Sequence, residues 1–385
     1  MRNMIRYLLA LAIGGNLVSA AQPTPTYTSK PHVVFIMTNN ADHNQVVVYK
    51  STTDGNFVES GRFDTGGRGS GGSVLPLESQ GSLTLSQDHS FLFAVNAGSG
   101  ELSVFRVQDA SLFLVSKVAT GGAMPVSIAQ RQNRVYVLNQ GGSGAVVGFN
   151  MDLVGHLTRI PNSSALLSAN LVAGEEVSIS PDGQFVVVIE QLVDPASTTQ
   201  KSNNIDTFRI QPDGTLGAIV ENPSPGPGTF SSAFTPNGTL IVTEAGPPTQ
   251  PAASGISSYN IQRNGAITAI TQSVPTEGLA TCWNVITPNA KFVYAVNIGT
   301  SNISGFTIVN NGVLAPIGST ILASNPPNSA SLDIAVSSDG RLLFNLNPAS
   351  GTIGVFRIES DGTVSTQTPI AIGPDTFAFS GIAAL

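Results

Sequence analysis

The stretch Val177-Ser-Ile-Ser-Pro-Asp-Gly-Gln-Phe-Val-Val-Val-Ile-Glu190 decides the fold, because versions of it return along the whole 385-residue chain. Each version consists of an apolar run, a turn and a second, alternating apolar run that ends in Asn or Glu. The second runs end at Asn39, Asn96, Asn139, Glu190, Glu244, Asn297 and Asn347. The interval between successive copies is about 50 residues, which is the size of one β-propeller blade.

Each unit continues with a third and a fourth strand. The third run alternates apolar and polar residues, as in Leu102-Ser-Val-Phe-Arg-Val107. A turn such as Asp213-Gly214 or Asn264-Gly265 follows, and these pairs supply the positive φ that a tight hairpin needs. Four strands per unit, joined by short turns, predict an all-β, seven-bladed β-propeller of four-stranded antiparallel blades.

The two ends of the chain predict how the ring closes. The first unit starts at Val33-Val-Phe-Ile-Met-Thr38, which matches the second strand of a blade, so its inner strand is missing. The segment Ser380-Gly-Ile-Ala-Ala-Leu385 resembles the inner strand Val126-Ser-Ile-Ala129 and has no blade of its own. We therefore expect the C-terminal strand to join the N-terminal blade, which removes the sheet edges of an open ring.

Three segments are expected along the chain. Residues 1–21 are predicted to be a signal peptide, because Arg2 and Arg6 precede an apolar run too short to span a bilayer and a cluster of small residues. A membrane anchor is the alternative for this segment. Residues 22–32 are rich in Pro and Thr and are expected to be an extended lead-in, and residues 33–385 form the propeller. We expect a secreted, extracellular protein without a membrane span.

Composition supports an exported all-β domain. Only 11% of the residues are charged, whereas Gly (40) and Pro (24) are frequent. The net charge of −7 and the lack of a basic cluster argue against nucleic acid as a partner. Cys282 is the only cysteine, so it cannot form a disulfide within the chain, and we interpret it as a buried structural thiol. The protein is expected to be a monomer.

Three Asn-X-Ser/Thr sequons, at Asn162, Asn237 and Asn302, are candidate N-glycosylation sites if the host is eukaryotic. Asn237 is expected in the turn between the first and second strands of a blade, and Asn302 in an exposed loop between the second and third. The alternative is chance occurrence, because Asn, Ser and Thr are common in this sequence.

The phrase Ser180-Pro-Asp-Gly-Gln-Phe185, the turn Thr235-Pro-Asn-Gly238 and the strand that ends at Glu244 resemble the seven-bladed lactonase family. That family includes propeller 6-phosphogluconolactonases and fungal carboxymuconate cyclases. The resemblance covers essentially residues 33–385. It implies a lactonase (hydrolase) or cycloisomerase that opens or forms a small lactone of an organic acid at the channel mouth.

The resemblance also implies an inner-strand His, Arg residues that hold acid groups of the substrate, and a Glu at the end of a second strand. Of these, only Glu244 matches. No His lies at the start of an inner strand, and Gly226-Pro-Gly-Thr-Phe-Ser231 replaces the Arg-His-containing phrase expected there. The chain therefore diverges from the family at its catalytic positions.

The topology of a propeller gathers several acidic residues at one face. Inner strands start and second strands end at the channel mouth, so we expect convergence of Glu175, Glu176, Glu190, Glu244 and Asp333 with Trp283. Clustered carboxylates repel one another, so at least one pKa should be raised or a cation should bind. The alternative for each carboxylate alone is that it caps a loop or faces water.

Roles follow for the residues at this mouth. The predicted catalytic residues are Glu244, Glu190, Glu176 and His43. The predicted substrate-binding residues are Arg68, Trp283, Asp333 and Asn297. His43 lies in the Asn39–Asn44 loop and could act as a base, with a solvated loop histidine as the alternative. Arg68 could pair with a substrate carboxylate.

Three functions remain open from the sequence. The first is a secreted hydrolase or cycloisomerase that acts on a small organic acid or lactone without a cofactor. The second is a non-catalytic, secreted or surface interaction propeller that has lost the family's chemistry. The third is a Ca²⁺-dependent lactonase, because carboxylate and Asn oxygens are hard ligands that suit Ca²⁺.

Overall fold

The computed structural model describes residues 30–72, 77–168, 173–192, 201–246, 253–373 and 378–385. The expected signal peptide, residues 1–21, lies outside the described residues, as does all of the expected lead-in except residues 30–32. Within the described residues, seven antiparallel sheets form the blades of a seven-bladed propeller, as the repeats predicted.

The first three blades have the following strands, from the axis outwards. Blade 1 consists of β30 (Ile382–Ala384), β1 (Val33–Met37), β2 (Gln45–Ser51) and β3 (Phe57–Asp64). Blade 2 consists of β4 (Leu83–Leu85), β5 (Phe91–Asn96), β6 (Glu101–Gln108) and β7 (Ser111–Ala119). Blade 3 consists of β8 (Ala123–Arg131), β9 (Arg134–Gly141), β10 (Ala145–Met151) and an outer edge divided between β11 (Leu157–Arg159) and β12 (Ala165–Leu166).

The remaining four blades repeat this order. Blade 4 consists of β13 (Ala173–Ile179), β14 (Phe185–Leu192), β15 (Lys201–Ile210) and β16 (Leu216–Val220). Blade 5 consists of β17 (Thr229–Phe234), β18 (Leu240–Glu244), β19 (Gly255–Ile261) and β20 (Ile267–Pro275). Blade 6 consists of β21 (Thr281–Ile286), β22 (Phe292–Asn297), β23 (Asn302–Val309) and β24 (Val313–Ser324). Blade 7 consists of β25 (Ile334–Val336), β26 (Leu342–Asn347), β27 (Thr352–Ile358) and an outer edge of β28 (Val364–Thr366) and β29 (Ile370–Ala371), with a 3-10 turn at Pro348–Ser350.

The C-terminal strand closes the ring as expected. β30 pairs antiparallel with β1, with Val34 opposite Ala384 and Ile36 opposite Ile382. The Val33 amide donates to the Leu385 carbonyl at 3.1 Å, and the Leu385 amide donates to the Val33 carbonyl at 2.8 Å. Blade 1 is thus built from both ends of the described propeller.

The apolar runs of the repeat form the middle of each blade. Every residue of Phe91–Asn96 and of Phe292–Asn297 is buried, because these second strands are covered by a neighbouring blade on each face. The outer strand Phe57–Asp64 is half-buried or exposed instead. The hairpin glycines have the positive φ that the turns required, as at Gly214 (88°). Polar groups inside this packing therefore need partners.

Candidate functional site

The polar residue that ends each second strand makes a repeated buried contact. In blade 6, Asn297 is fully buried and accepts a hydrogen bond from Thr281 Oγ1 at 2.5 Å. Its Nδ2 donates to Ser304 Oγ and to Asn302 Oδ1, each at 2.7 Å. We call this arrangement the lock: the buried Asn or Glu that ends a second strand, together with the side chains that bond to it.

Locks with Asn recur in other blades. Asn96 accepts from Thr65 Oγ1 at 2.6 Å and donates to Ser103 Oγ at 2.8 Å. Asn139 accepts from Thr120 Oγ1 at 2.6 Å. Asn347 accepts from Ser331 Oγ at 2.8 Å. Because each lock joins the segment that enters a blade to that blade's second strand, it holds neighbouring blades in place.

Glycines cover four of these locks. A Cβ on Gly278 would lie 2.1 Å from Cγ of Asn297, and a Cβ on Gly226 would lie 1.9 Å from Oε2 of Glu244. A Cβ on Gly67 would lie 2.4 Å from Cγ of Asn96 in blade 2, and a Cβ on Gly122 would lie 2.6 Å from Cγ of Asn139 in blade 3. The sequence carries this signal as Thr-Gly-Gly67, Thr-Gly-Gly122, Ser-Pro-Gly226 and Thr-Glu-Gly278, which the sequence reasoning did not use.

Glu244 belongs to the lock of blade 5. Its carboxyl group is fully buried, and Oε1 accepts hydrogen bonds from Ser257 Oγ at 2.5 Å and from Ser224 Oγ at 3.2 Å. Burial raises the pKa of Glu244, and the serine hydroxyl groups oppose that shift. A substrate would reach this carboxyl only by displacing the lock.

Glu190 belongs to the lock of blade 4, where a second carboxyl replaces the third-strand serine. Both oxygens of Glu190 bond to Ser168, with the Ser168 amide at 3.0 Å from Oε1 and the hydroxyl on Oε2. Glu190 pairs with Asn204 and Val188 with Asp206, so Glu190 and Asp206 are diagonal neighbours on one face of the sheet. Burial, together with the hydrogen bond and repulsion from Glu190, raises the pKa of Asp206 to about 10.

A different set of residues lies around the propeller axis, where the connection from blade 1 to blade 2 enters the channel. This connection is the longest between the described strands of successive blades. Its glycine-rich part packs on the loops of blades 1 and 2, with the Gly69 amide 2.7 Å from the Asn40 carbonyl and the Gly98 amide 3.0 Å from the Arg68 carbonyl. Residues 77–80, which we call the channel segment, then reach the inner strands.

The channel segment contacts the inner strands of four blades. Ser79 Oγ donates to the Val126 carbonyl of blade 3 at 2.9 Å, and the Gln80 amide donates to the Glu175 carbonyl of blade 4 at 3.2 Å. The Gln80 side chain bonds to Ser232 of blade 5, and Trp283 Nε1 of blade 6 donates to the Ser79 carbonyl at 2.8 Å. Because one short segment touches so many inner strands, it lies in the central channel.

Glu176 faces this segment. The Ser232 amide donates to Glu176 Oε2, and Gln80 Nε2 lies 3.3 Å from Glu176 Oε1. Burial raises the pKa of Glu176 to about 8; the hydrogen bonds from Ser232 and Gln80 oppose this shift, and repulsion from Asp333 adds to it.

Asp333 is the second acidic group of the channel. It accepts from the Ile334 amide at 2.9 Å and from the Ile382 amide at 3.3 Å. Burial raises its pKa to about 7 in spite of these two donors. Glu176 and Asp333 are 6% and 4% exposed, so both are nearly excluded from solvent. Groups that titrate near neutrality in a cleft are candidates for acid and base catalysis.

The structure therefore divides the predicted site residues. Glu176 and Trp283 bond to the channel segment, and Asp333 lies close enough to Glu176 to repel its carboxylate. Trp283 packs edge-on against Phe230 with 4.7 Å between ring centroids. Glu190, Glu244 and Asn297 lie in locks. The sequence reasoning missed Gln80 and Asp206; the unusual length of the connection before Leu83 was the available signal for Gln80.

The two remaining predicted residues, His43 and Arg68, are exposed. The backbone amide of His43 donates to Asn40 Oδ1 at 3.2 Å. The backbone amide of Arg68 donates to Ser99 Oγ at 3.0 Å. Neither side chain is brought to Glu176 by a hydrogen bond or ion pair that involves the described residues. Their predicted roles stay predictions.

The sequons differ in environment. Asn162 and Asn237 are exposed, and Asn237 lies in the turn between β17 and β18, as expected. Asn302 is half-buried and is the first residue of β23, so the expectation of an exposed loop was wrong. Its Oδ1 accepts from Asn297 in the lock of blade 6, and the two residues face each other at the start of the pairing between β22 and β23.

Two further observations concern metals and membranes. Across the described ranges, no group of three or more His, Cys, Asp or Glu residues is arranged to hold a metal ion. In that same part of the chain, no helix is long and apolar enough to cross a membrane. Cys282 is buried, as expected.

Solved structures with the same architecture include lactonase propellers. A protein assigned as a 6-phosphogluconolactonase from Bacteroides uniformis has a TM-score of 0.68 at 17% identity, covering 93% of this chain and 100% of that one. The periplasmic gluconolactonase PpgL of Pseudomonas aeruginosa has a TM-score of 0.67 at 18% identity, covering 92% and 98%. At these identities the similarity shows the fold. No curated protein sequence is significantly similar to the chain.

A sequence model of one family also matches the chain. The family is described as "Lactonase, 7-bladed beta-propeller", and the match covers residues 28–173 and 242–376. The unmatched residues between these ranges hold Glu175, Glu176, Glu190 and Asp206, whereas Glu244 and Asp333 lie in the matched part. Because the match covers most of the chain, the protein belongs to the seven-bladed β-propeller lactonase family.

Proposed function

We propose that the protein is an exported lactonase that hydrolyses, or in the reverse direction forms, a small lactone of an organic acid at the channel mouth. Membership of the lactonase family supports the substrate class. The observation that carries the proposal is the pair of channel carboxyl groups, Glu176 and Asp333, with pKa values of about 8 and about 7. A general acid and a general base are most effective when their pKa values lie near the working pH.

The two groups suit the two proton transfers of lactone hydrolysis. With a pKa of about 8, Glu176 is the group that keeps its proton to higher pH, and Asp333, with a pKa of about 7, is the group that ionises first. Water attacks the carbonyl carbon while the Asp333 carboxylate accepts its proton. The ring C–O bond then breaks as Glu176 donates its proton to the leaving oxygen, which gives the hydroxy acid. Return of the proton from Asp333 to Glu176 through water resets the site.

This assignment changes the roles predicted from the sequence for three residues. Asp333 becomes the base instead of a substrate-binding residue. Glu190 and Glu244 become structural, because both carboxyl groups bond to serine residues of their own locks, whereas Glu176 bonds to Gln80 of the channel segment. His43 and Arg68 remain candidates for contact with the substrate at the mouth.

The first experiment is a screen of sugar-acid lactones and muconate-type lactones with the wild type, Glu176→Gln and Asp333→Asn. Each substitution should lower kcat about 10²- to 10⁴-fold, which is the usual contribution of a general acid or base. Glu59→Gln, at an exposed ion pair with Arg62 on the rim of blade 1, is the matched control and should retain full activity. Full activity of Glu176→Gln would contradict the assignment.

The pH dependence gives a second test of the same pair. Activity should rise as Asp333 ionises near pH 7 and fall as Glu176 loses its proton near pH 8, so kcat/KM should be greatest between these values. The same assay after treatment with EDTA tests the Ca²⁺-dependent alternative. Undiminished turnover by metal-free protein would exclude that alternative.

A non-catalytic interaction propeller is the second candidate function. The observation in its favour is that the Gln80 side chain already forms hydrogen bonds with Glu176, Ser232 and Asn284 in the channel. In that case the screen would show no turnover of any lactone, and the protein would instead bind a partner saturably. Turnover that depends on Glu176 would exclude it.

A further inference from the structure

The Gln80 carboxamide has a fixed orientation. Its Oε1 accepts a hydrogen bond from the Asn284 amide at 2.9 Å, and its Nε2 donates to the Ser232 carbonyl at 3.1 Å. A backbone N–H can only donate and a carbonyl can only accept. If Oε1 and Nε2 were exchanged, the Nε2 donor would face the N–H of Asn284 and the Oε1 acceptor would face the carbonyl of Ser232, and neither hydrogen bond could form. The orientation that remains directs Nε2 at Oε1 of Glu176.

The backbone that carries Gln80 is also held. The Gln80 amide donates to the Glu175 carbonyl, and the preceding Ser79 bonds to Val126 through its hydroxyl and to Trp283 through its carbonyl. Leu77 and Ser79 are at most 1% exposed. A side chain fixed at both its backbone and its amide end can hold another group in place.

We propose that Gln80 is a positioning residue that fixes the orientation of the Glu176 carboxyl group for proton transfer to the substrate. This inference rests on the proposed function of Glu176. The carboxyl lies between two donors that belong to different parts of the chain, the Ser232 amide on Oε2 and Gln80 Nε2 on Oε1. The two donors define the carboxyl plane, and a freely rotating carboxyl would present its proton in the productive direction only part of the time.

Gln80 also affects the proton affinity of Glu176. A hydrogen bond donated to a carboxylate favours its ionised form, so Gln80 keeps the pKa of Glu176 below the value that burial alone would give. Among the described residues, the other titratable groups near Glu176 are Asp333, immediately before the inner strand of blade 7, and Glu175 on the same strand as Glu176. Neither changes when Gln80 is replaced, so a change in titration can be attributed to the lost donor.

The test compares the wild type with Gln80→Met, which keeps a similar volume and removes the donor. The high-pH limb of kcat should move up by about one pH unit, which corresponds to one hydrogen bond to a charged group. kcat should fall about tenfold or more with little change in KM, because positioning acts on the chemical step. Gln87→Met, at an exposed turn of blade 2, is the matched control.

Trp283 shows whether the channel segment stays in place. It is the only tryptophan in the chain, and its indole bonds to Ser79, so its emission reports on the segment directly. If Gln80→Met shifts that emission, Gln80→Glu replaces it as the test variant. Gln80→Glu keeps the acceptor for Asn284 and replaces the donor to Glu176 by a carboxyl group, so the lost hydrogen bond and the added repulsion should both raise the midpoint of Glu176.

Titration of Glu176 without substrate separates this inference from the proposed function. The midpoint can be followed by ¹³C NMR of protein labelled at glutamate, with the signal assigned by Glu176→Gln. A raised midpoint in the Gln80 variant supports its control of Glu176 even if the wild type hydrolyses no lactone, a result that would overturn only the proposed reaction. An unchanged midpoint and an unchanged pH profile would overturn the role of Gln80.

Discussion

The locks of blade 6 and blade 4 occupy the same place in the repeat and satisfy their buried polar groups with different chemistry. In blade 6, the neutral Asn297 accepts from Thr281 and donates to Ser304 and Asn302. In blade 4, Glu190 and Asp206 meet as two carboxyl groups, so one of them must keep a proton. The repeat therefore preserves the position of the lock, whereas the pH dependence of the lock's stability differs between blades 6 and 4.

The largest expected effect on stability comes from removing the neutral lock of blade 6. Asn297→Leu would remove three hydrogen bonds of a buried side chain, to Thr281, Ser304 and Asn302, and would leave the hydroxyl groups of Thr281 and Ser304 only their contacts with Thr276. We therefore expect the free energy of unfolding to fall by about 3 kcal/mol. Urea unfolding measures this loss. Asn133→Leu, at an exposed turn of blade 3, is the control. A loss below about 1 kcal/mol for Asn297→Leu would show that the lock is not needed.

The second effect concerns pH. Asp206, Glu176 and Asp333 all have raised pKa values in the folded protein, about 10, about 8 and about 7. Between the ordinary carboxyl pKa values and these values, the folded state binds more protons than the unfolded state. The contribution of these groups to the free energy of unfolding is therefore fully present at low pH. It is lost as pH rises towards the raised pKa values, by about 1 kcal/mol per pH unit for each group that titrates.

The contribution of the blade 4 lock to this pH dependence can be measured separately. Above about pH 9 the channel carboxyl groups are largely ionised, whereas Asp206 keeps its proton until about pH 10. Asp206→Asn should therefore flatten the slope of unfolding free energy between about pH 9 and 10, while Asn297 variants should leave that slope unchanged. Equal slopes for the wild type and Asp206→Asn would mean that the two locks respond alike to pH.

The smallest effect concerns the sequons. In protein secreted by a eukaryotic host, we expect glycans at the exposed Asn162 and Asn237 and none at Asn302, because Asn302 is part of the blade 6 lock. Mass spectrometry after glycosidase digestion locates the modified residues. Asn162→Gln and Asn237→Gln should change the free energy of unfolding by less than about 0.5 kcal/mol. A folded, secreted protein with a glycan on Asn302 would show that this lock can open.

The fold could be predicted because its information is local and repeated. The apolar runs, the Asn-Gly and Asp-Gly turns and the unmatched strand at residues 380–385 each describe a strand or a turn by themselves, and their order leaves one way to close the ring. Asp333, Glu176 and Trp283 could be predicted for the same reason, because an inner-strand position faces the channel in every blade.

The remainder of the site depends on contacts between distant residues. Gln80 lies in a connection without periodicity, and its partners Ser232 and Asn284 follow it by some 150 and 200 residues. Glu190 and Glu244 differ from the Asn residues of the repeat, but sequence alone does not show that Ser168 and Ser224 enclose them. A residue that departs from the repeat is thus first a sign that its hydrogen-bond partners have changed, and a catalytic role needs separate evidence.

The pairing of Val34 with Ala384 also has a consequence for biosynthesis. During translation, β1 emerges early, and its inner edge has no partner until Ile382–Ala384 has been made, nearly a full chain length later. Pairing over such a separation is slow, and an unpaired strand edge can join another chain in the meantime. The nascent protein is therefore most prone to pair with other chains in the period before the C-terminal strand completes the ring.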